Sequence, residues 1–282
     1  MKATIRLDKM LGNLGYGTRS EIKVLIKQGA VTVNGKQVKD HGMQINPKLD
    51  EVVLDGETIQ YRDTVYVLLH KPAGVVSATE DSRDRTVIDL LDVDLTVLSP
   101  FPVGRLDKDT EGLLLITNDG KLSHELLSPR KHVPKTYRAL VAGEVNTEDA
   151  EAFLKGVALD DGYVTMPAQL RVLARTDING TLSAIEEQHA KELTDAIPLA
   201  PKQDDESAAS PVPRSWIELT IHEGKFHQVK RMFESVGKKV LYLRRIAMGP
   251  LQLDATLAPG EWRELTEEEV ESLRNYRKDG NE

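Results

Sequence analysis

Three carboxylates alternate with other residues on a short segment bracketed by glycines. Asp107, Asp109 and Glu111 come directly before an apolar run. A carboxylate on such a loop can act as a nucleophile, and three oxygen donors at this spacing could hold a hard cation. A turn with solvated charges is the plainest alternative. Arg105 and Lys108 stand beside the carboxylates, and their positive charges disfavour the cation site without excluding it.

Two further residues have a chemical and a structural interpretation. Lys230 lies in a segment whose apolar residues recur at helical spacing, and Tyr137 lies in a strand-like segment. By residue type alone, Lys230 is a solvated lysine on an amphipathic helix and Tyr137 is a core residue. Neither residue indicates a catalytic role without further information.

Charge is distributed unevenly along the chain. The 282 residues carry a net charge of −8, yet residues 1–50 hold nine basic and four acidic side chains, a local charge of +5. A basic segment joined to an acidic remainder is typical of a nucleic-acid-binding module attached to another domain.

The composition also excludes several classes of protein. The chain has no cysteine, so disulfides, thiolate metal sites and a cysteine nucleophile are excluded, and a reducing compartment is indicated. No apolar run approaches the ~20 residues that cross a bilayer, and the first ten residues lack the apolar stretch of a signal peptide. We therefore expect a cytoplasmic protein without a membrane partner.

The elements that begin the chain are short and well delimited. An amphipathic helix is predicted over residues 5–14, and a second helix begins at a capping box formed by Thr18 and Glu21. Asn34 and Gly35 then predict a tight hairpin turn between two short strands. This pattern, over about residues 2–60, resembles the S4 RNA-binding module. The resemblance implies RNA contacts from its exposed basic side chains, which are Arg6, Lys9, Arg19, Lys23, Lys27 and Lys36.

The remainder of the chain predicts a mixture of strands and fewer helices. Strands are expected over residues 66–69, 113–117, 137–141, 216–221 and 240–245, and helices over 147–155, 227–236 and 266–276. The pattern predicts an α+β fold, in which a small S4-like α/β module (residues 1–60) precedes a mainly antiparallel catalytic domain (residues 61–282). Residues 184–213 carry seven acidic and two basic side chains and four prolines, which predicts a disordered or flexible insertion.

Four segments together resemble the catalytic motifs of RsuA-type RNA pseudouridine synthases. They are residues 69–74 (Leu-His-Lys-Pro-Ala-Gly), the carboxylate segment within 104–120, residues 135–137 (Lys-Thr-Tyr) and residues 223–233. With the S4-like module, the resemblance covers nearly the whole chain outside the insertion. It implies an isomerase that detaches uracil N1 from ribose C1′, turns the base and rejoins it through C5, without a cofactor or a metal.

The resemblance also implies roles for particular residues. The family's catalytic aspartate falls on Asp107, the aromatic residue that packs against the target base on Tyr137, and the basic partner of the aspartate on Lys230. No role is carried onto His70, because many relatives have Asn there. We further expect RNA contacts from basic residues of this domain, which are Arg105, Arg130, Lys131, Lys135 and Arg231.

The implied target is uridine 516 of 16S ribosomal RNA, in an assembling small subunit, with the protein acting as a monomer. Three alternatives stay open: a large-subunit ribosomal RNA synthase of the same family, a non-catalytic S4-type assembly factor, and a metal-dependent nuclease built on the three carboxylates. The chemical path of Asp107, by attack on ribose C1′, attack on uracil C6 or a glycal-forming elimination, also stays open.

Overall fold

The computed structural model describes residues 4–47, 49–176, 182–184 and 213–276. The predicted insertion therefore lies outside the described residues, apart from its two end positions. Over the described ranges, no helix combines the length and the apolarity needed to span a bilayer.

The N-terminal module contains two helices and six short strands. These are α1 (Leu7–Asn13), α2 (Arg19–Gln28), β1 (Ile5–Arg6), β2 (Val31–Val33), β3 (Lys36–Gln37), β4 (Gln44–Ile45), β5 (Val52–Leu54) and β6 (Glu57–Ile59). Strands β3, β2, β5 and β6 form one antiparallel sheet in that order, and β1 pairs with β4.

The predicted helix cap and hairpin turn of the module are present, but the start of its first helix differs from the prediction. The Thr18 and Glu21 capping box is present at the start of α2, and Asn34 and Gly35 turn the hairpin with φ angles of 52° and 72°. Helix α1, however, begins two residues later than predicted, because Ile5 pairs with β4 as a strand residue.

The module has an apolar core of its own. Side chains from both helices and from the strands are buried together, among them Leu7, Met10, Leu11, Ile22, Ile26 and Val31. Because this core is built within residues 5–61, the module has the packing expected of a separately folding unit.

The second part of the chain is built on one large sheet. Its strands are β7 (Tyr66–Lys71), β8 (Phe101–Pro102), β9 (Glu111–Thr117), β10 (Lys135–Ala142), β11 (Gln169–Thr176), β12 (Leu182–Ala184), β13 (Arg214–Ile221), β14 (Lys239–Met248), β15 (Leu251–Gln252) and β16 (Trp262–Glu264). Its helices are α3 (Val93–Thr96), α4 (Gly120–Leu127), α5 (Thr147–Lys155), α6 (Gln228–Ser235) and α7 (Glu267–Asn275).

The sheet runs in the order β12-β11-β13-β10-β14-β9-β7-β16. Among the strand pairs of the described residues, β9 and β14 alone are parallel, and the others are antiparallel. The predicted α+β class with a mainly antiparallel sheet is therefore confirmed.

Helices cover the two faces of this sheet. The rings of Phe153 on α5 and Phe233 on α6 meet edge to face, with centroids 5.1 Å apart, in a core that also contains Leu114 of β9. Helices α4 and α7 pack in a second core with Leu113, the neighbouring residue of the same strand. This alternation explains why β9 is apolar at every position from 113 to 116, since both of its faces are buried.

Candidate active site

The carboxylate loop, residues 103–110, connects β8 to β9 and is held in place by backbone contacts. The buried Ser77 hydroxyl accepts a hydrogen bond from Leu106 N (3.1 Å) and donates one to Leu106 O (2.9 Å). On the other side of Asp107, the amide of Thr110 donates to the carbonyl of Asp107 at 3.1 Å. The position of the Asp107 backbone is thus fixed from both sides.

Lys71, the last residue of β7, lies fully buried beneath this loop. Its ammonium donates to the carbonyls of Thr110 (2.8 Å), Pro72 (3.0 Å) and Lys108 (3.3 Å). Burial lowers the pKa of Lys71 to about 8, and the nearby Asp109 opposes part of that shift. Lys71 therefore ties the end of a core strand to the loop that carries the carboxylates.

Helix α6 and the residue that precedes it bring two basic groups to Asp107. Lys230 Nζ lies 3.1 Å from Asp107 Oδ2, and His227 Nε2 lies 3.6 Å from Asp107 Oδ1. Lys230 also donates to both oxygens of Asp109, at 2.7 and 2.9 Å. One ammonium is therefore shared between two carboxylates of the loop.

The ionisation of this group follows from those contacts. Burial alone would lower the pKa of Lys230, but its hydrogen bonds to Asp109 and Asp107 outweigh that effect and raise it. Burial would conversely raise the pKa of Asp109, and the hydrogen bond and charge of Lys230 hold it below its usual range. Lys230 is accordingly a stable cation beside Asp107 at neutral pH.

A small cavity of about 120 Å³ opens beside Asp107. Tyr137, 8% exposed, forms part of its wall together with two buried cationic side chains, Lys135 and Arg245. Arg245 Nε donates to the carbonyl of Leu113 at 2.8 Å, and its Nη2 has no hydrogen-bond partner among the described residues.

The sheet explains why these three side chains meet. Tyr137 pairs with Arg245 across β10 and β14, and Lys135 lies two residues before Tyr137 on the same face of β10. Lys135 Nζ donates to the carbonyl of Val133 at 3.0 Å. Burial, and then the charge of Arg245, lowers the pKa of Lys135 to about 8.

Gly112 permits the parallel contact that joins the loop to this wall. It pairs with Arg245 and has a φ of +105°. A Cβ at residue 112 would lie 2.2 Å from the Arg245 carbonyl oxygen. A side chain there would therefore separate β9 from β14 and displace Asp107 from the cavity.

A second, wider cleft of about 950 Å³ borders Asp107 on its solvent side. Its walls are the turn at 73–77, the carboxylate loop and residues 224–230. Arg105 points its exposed side chain to this cleft and makes no hydrogen bond or ion pair within the part of the chain that the structure describes.

Most of the predicted RNA contacts are exposed cations. Those with exposed side chains are Lys9, Arg19, Lys23, Lys27, Lys36, Arg105, Arg130 and Lys131. Arg6 is exposed too, although it forms an ion pair of 2.7 Å with the buried carboxylate of Asp8.

Two of the predicted RNA contacts are placed differently. Lys135 belongs to β10 and is 8% exposed, so it lies in the cavity wall and not on the surface with the other basic residues. Arg231, with a side chain 13% exposed, is held by Asp160 and Asp161. Its charge is balanced within the protein because α6 packs it against the turn that contains both aspartates.

Three features of the site escape sequence reasoning. These are the ammonium of Lys71 under the loop, the guanidinium of Arg245 in the cavity and the second carboxylate, Asp109, on Lys230. A charged residue at the end of a continuous apolar strand was the available signal for Lys71.

The carboxylates do not form a metal-type cluster. Glu111 accepts a hydrogen bond from Tyr242 at 2.7 Å and pairs with Arg244, away from Asp107 and Asp109. Over the described ranges, no group of three or more His, Asp or Glu side chains is arranged to hold a metal ion. The ammonium of Lys230 lies where a metal shared by Asp107 and Asp109 would have to bind.

Comparisons with known families match both parts of the chain. Residues 65–235 match the family model described as RNA pseudouridylate synthase, and residues 5–50 match the S4 domain model.

Similar proteins extend over almost the full length. The uncharacterized RNA pseudouridine synthase YtzG of Bacillus subtilis is 45% identical over 95% of this chain and 98% of its own length. The ribosomal small subunit pseudouridine synthase A of Vibrio cholerae is 37% identical over 95% of this chain and 99% of its own. The ribosomal large subunit pseudouridine synthase B of Bacillus subtilis is 35% identical over 95% of each chain.

A solved structure is similar as well. A crystal structure of a pseudouridylate synthase superposes with a TM-score of 0.57 at 32% identity, covering 95% of this chain and 99% of that one.

Proposed function

The chain belongs to the RNA pseudouridine synthase family, and on that premise we propose that it isomerises one uridine of ribosomal RNA with Asp107 as the nucleophile. The observation that carries the proposal is the position of Asp107. Its carboxylate lies at the edge of a small cavity walled by Tyr137 and is paired with Lys230 at 3.1 Å.

The reaction needs what this arrangement supplies. The target uridine must leave its stack to enter the cavity, where Tyr137 offers an aromatic surface to the base. The Asp107 carboxylate forms a bond to the nucleotide, the C1′–N1 bond breaks, and the base turns. C5 then bonds to C1′, the bond to Asp107 breaks, and the C5 proton is released while N1 gains one. Atoms balance without a cofactor.

Lys135 and Arg245 are positioned to bind the uracil. Both are buried in the cavity wall, and their N–H groups are donors suited to the carbonyl oxygens of the base. The Nη2 atom of Arg245 in particular is a buried donor that lacks a protein acceptor among the described residues.

The N-terminal module supplies the docking function in this proposal. Residues 1–60 carry exposed cations on both helices and match the S4 model over residues 5–50. Phosphates are the natural partners of such side chains. Residues 61–282, which contain the cavity, form the catalytic part.

The proposed target is uridine 516 of 16S ribosomal RNA. Support comes from the small-subunit synthases among the similar proteins, such as the one from Vibrio cholerae, and from the segment at 227–233. The Bacillus subtilis large-subunit synthase has nearly the same identity, so a site in 23S RNA is the competing assignment that the experiment must separate.

The test uses RNA labelled with tritium at uracil C5. The full chain is incubated with 16S RNA and, separately, with 23S RNA, and pseudouridines are mapped by chemical probing. We expect tritium release from 16S RNA and one new pseudouridine at position 516. Release from 23S RNA alone would transfer the assignment to the large subunit, and no release from either RNA or from assembling subunits would refute the proposed activity.

A further inference from the structure

Phe226 is an exposed aromatic side chain beside the catalytic cleft. It is 76% exposed, although large apolar residues are normally buried. Its ring stacks on His227, with centroids 3.8 Å apart and an angle of 19° between the planes. The stacked pair presents a flat aromatic face to solvent.

The position of this pair is set by a rigid turn. Gln228 accepts a hydrogen bond from Lys225 N at 2.8 Å and donates one to Glu223 at 2.7 Å. His227 has a φ of 49°, a left-handed conformation that is uncommon for a residue with a side chain. The turn is therefore built to hold Phe226 and His227 where they are, at a cost in backbone energy.

The aromatic pair lies next to Asp107. His227 Nε2 lies 3.6 Å from Asp107 Oδ1, so Phe226 is the second ring outward from the proposed nucleophile. The wide cleft that Phe226 lines also contains the exposed cations Arg105 and Lys225. Exposed aromatic rings combined with cations are the composition of surfaces that bind single-stranded nucleic acids, where bases stack and phosphates are neutralised.

We propose that the Phe226–His227 pair is a stacking platform for an RNA base next to the target uridine. This inference rests on the proposed function, because it takes the target uridine to lie in the cavity beside Asp107. Extruding that uridine leaves its neighbour without a stacking partner. The exposed face of Phe226 replaces that partner, while Arg105 and Lys225 contact the adjoining phosphates.

The platform is tested with full-length protein and a ribosomal RNA fragment that contains the target uridine. Two such RNAs are made, one with 2-aminopurine on the 5′ side of that uridine and one with 2-aminopurine on its 3′ side. Stacking quenches 2-aminopurine fluorescence. Phe226→Ala should abolish the quenching at one of the two positions and weaken RNA binding by about 5- to 150-fold, the effect of ~1–3 kcal/mol for one stacked base. Phe226→Tyr, which keeps the ring, should restore both.

Leu154→Ala is the matched control. Leu154 is also an exposed apolar residue, 59% exposed on α5, and it lines neither the cavity nor the cleft. This variant should bind and quench like the unaltered protein.

Sedimentation of the Phe226→Ala and unaltered proteins at equal concentration compares their molecular masses in solution. A change in mass between them would mean that the ring joins two copies of the chain, which would overturn the platform.

The platform and the proposed function can fail separately. If the unaltered protein releases tritium while Phe226→Ala binds RNA within twofold and still quenches at both positions, the platform is wrong and the activity stands. If no ribosomal RNA releases tritium, the proposed function is wrong. The same affinity and quenching comparison on a single-stranded RNA with 2-aminopurine beside one uridine then decides whether Phe226 stacks on bases.

Discussion

Lys230 forms ion pairs with both Asp107 and Asp109, but the two carboxylates differ in their exposure to solvent. Asp107 is 25% exposed and lies at the cavity, whereas the side chain of Asp109 is 73% exposed and lies outside it. Both contact the same ammonium, but only Asp107 can reach a base in the cavity. The shared contact therefore does not imply a shared role.

Asp107→Asn tests that difference. The amide is nearly isosteric but cannot act as an anionic nucleophile, so turnover should be abolished while RNA affinity stays within about tenfold, a loss of at most ~1.4 kcal/mol. Asp109→Asn is the matched control, and its rate should fall by no more than about fivefold, because an exposed ion pair contributes at most ~1 kcal/mol. Tritium release and RNA binding measure the two effects. Equal loss of activity at both positions would contradict Asp107 as the sole nucleophile.

Lys71→Met tests the buried ammonium under the loop. The substitution keeps the length of the side chain but leaves the three carbonyls of Thr110, Pro72 and Lys108 without this donor, and each such loss costs about 1–3 kcal/mol. We expect a lower unfolding free energy in urea and a lower rate of tritium release. A variant with the stability and rate of the unaltered protein would show that the loop does not depend on Lys71.

The lowered pKa of Lys71 predicts that the unfolding free energy depends on pH. The pKa of Lys71 is lowered to about 8 in the folded protein from an ordinary 10.5, so the unfolded chain binds more protons between these values. Stability from Lys71 therefore rises with pH across that window, by about 3 kcal/mol. The unaltered protein should gain unfolding free energy relative to Lys71→Met from pH 8 to pH 10.5. A constant difference over that range would contradict the shift.

Among the elements, the parallel pair β9 and β14 positions the site, because it joins the carboxylate loop to the cavity wall. The two strands approach closely at Gly112 and Arg245. Strand β14 also pairs with β10, which carries Tyr137 and Lys135. One strand thus links the carboxylate loop to the cavity wall that contains Tyr137 and Lys135.

Gly112→Ala should disrupt this connection. The added Cβ would lie 2.2 Å from the Arg245 carbonyl, at a φ of +105° that side chains rarely adopt. We expect a thermal midpoint lowered by many degrees, or no folded protein, and no tritium release. The control is Gly120→Ala, at the start of α4, where a Cβ meets nothing within 4 Å and helix propensity favours alanine by up to ~1 kcal/mol. If both variants melt like the unaltered protein, the close approach has no structural importance.

At the scale of the whole molecule, the basic first 50 residues lie within the N-terminal module. Residues 1–50 carry a net charge of +5 in a chain of net charge −8, and the N-terminal core draws its residues from 5–61. Arg62, which directly follows the module, forms an ion pair of 2.6 Å with Glu264 at the surface of the second part. An acidic protein can therefore bind RNA through one basic module.

Deleting residues 1–60 should weaken RNA binding and leave the second part of the chain folded. Each lost phosphate contact lowers the slope of log affinity against log salt by about 0.9, so the truncated protein should bind ribosomal RNA more weakly and with a flatter salt dependence. Its far-ultraviolet spectrum and cooperative melting should show a folded second part, because that part has separate cores. Unchanged affinity and slope would mean that the N-terminal module is not the docking surface.

The sequence by itself determined the features that depend on neighbouring residues. Thr18 and Glu21 form their capping box, and Asn34 and Gly35 their turn, because caps and tight turns are set by the chemistry of a few adjacent positions. Apolar segments bounded by glycine, proline and asparagine likewise predicted five strands of the second part and the fold class, although β11 and α4 were not predicted. Four linear motifs identified the family that the comparisons then showed.

The tertiary structure decided what depends on distant contacts. Lys230 meets Asp109 across 121 residues, and Lys71 meets Thr110 across 39. Lys135, expected to contact RNA, is buried because β10 pairs with β13 and β14 on either side and turns this side chain into the cavity. Ile5 leaves the predicted helix because β4 offers backbone partners. Residue order records local propensity, whereas burial and charge pairing are fixed only when the sheet brings separated segments together.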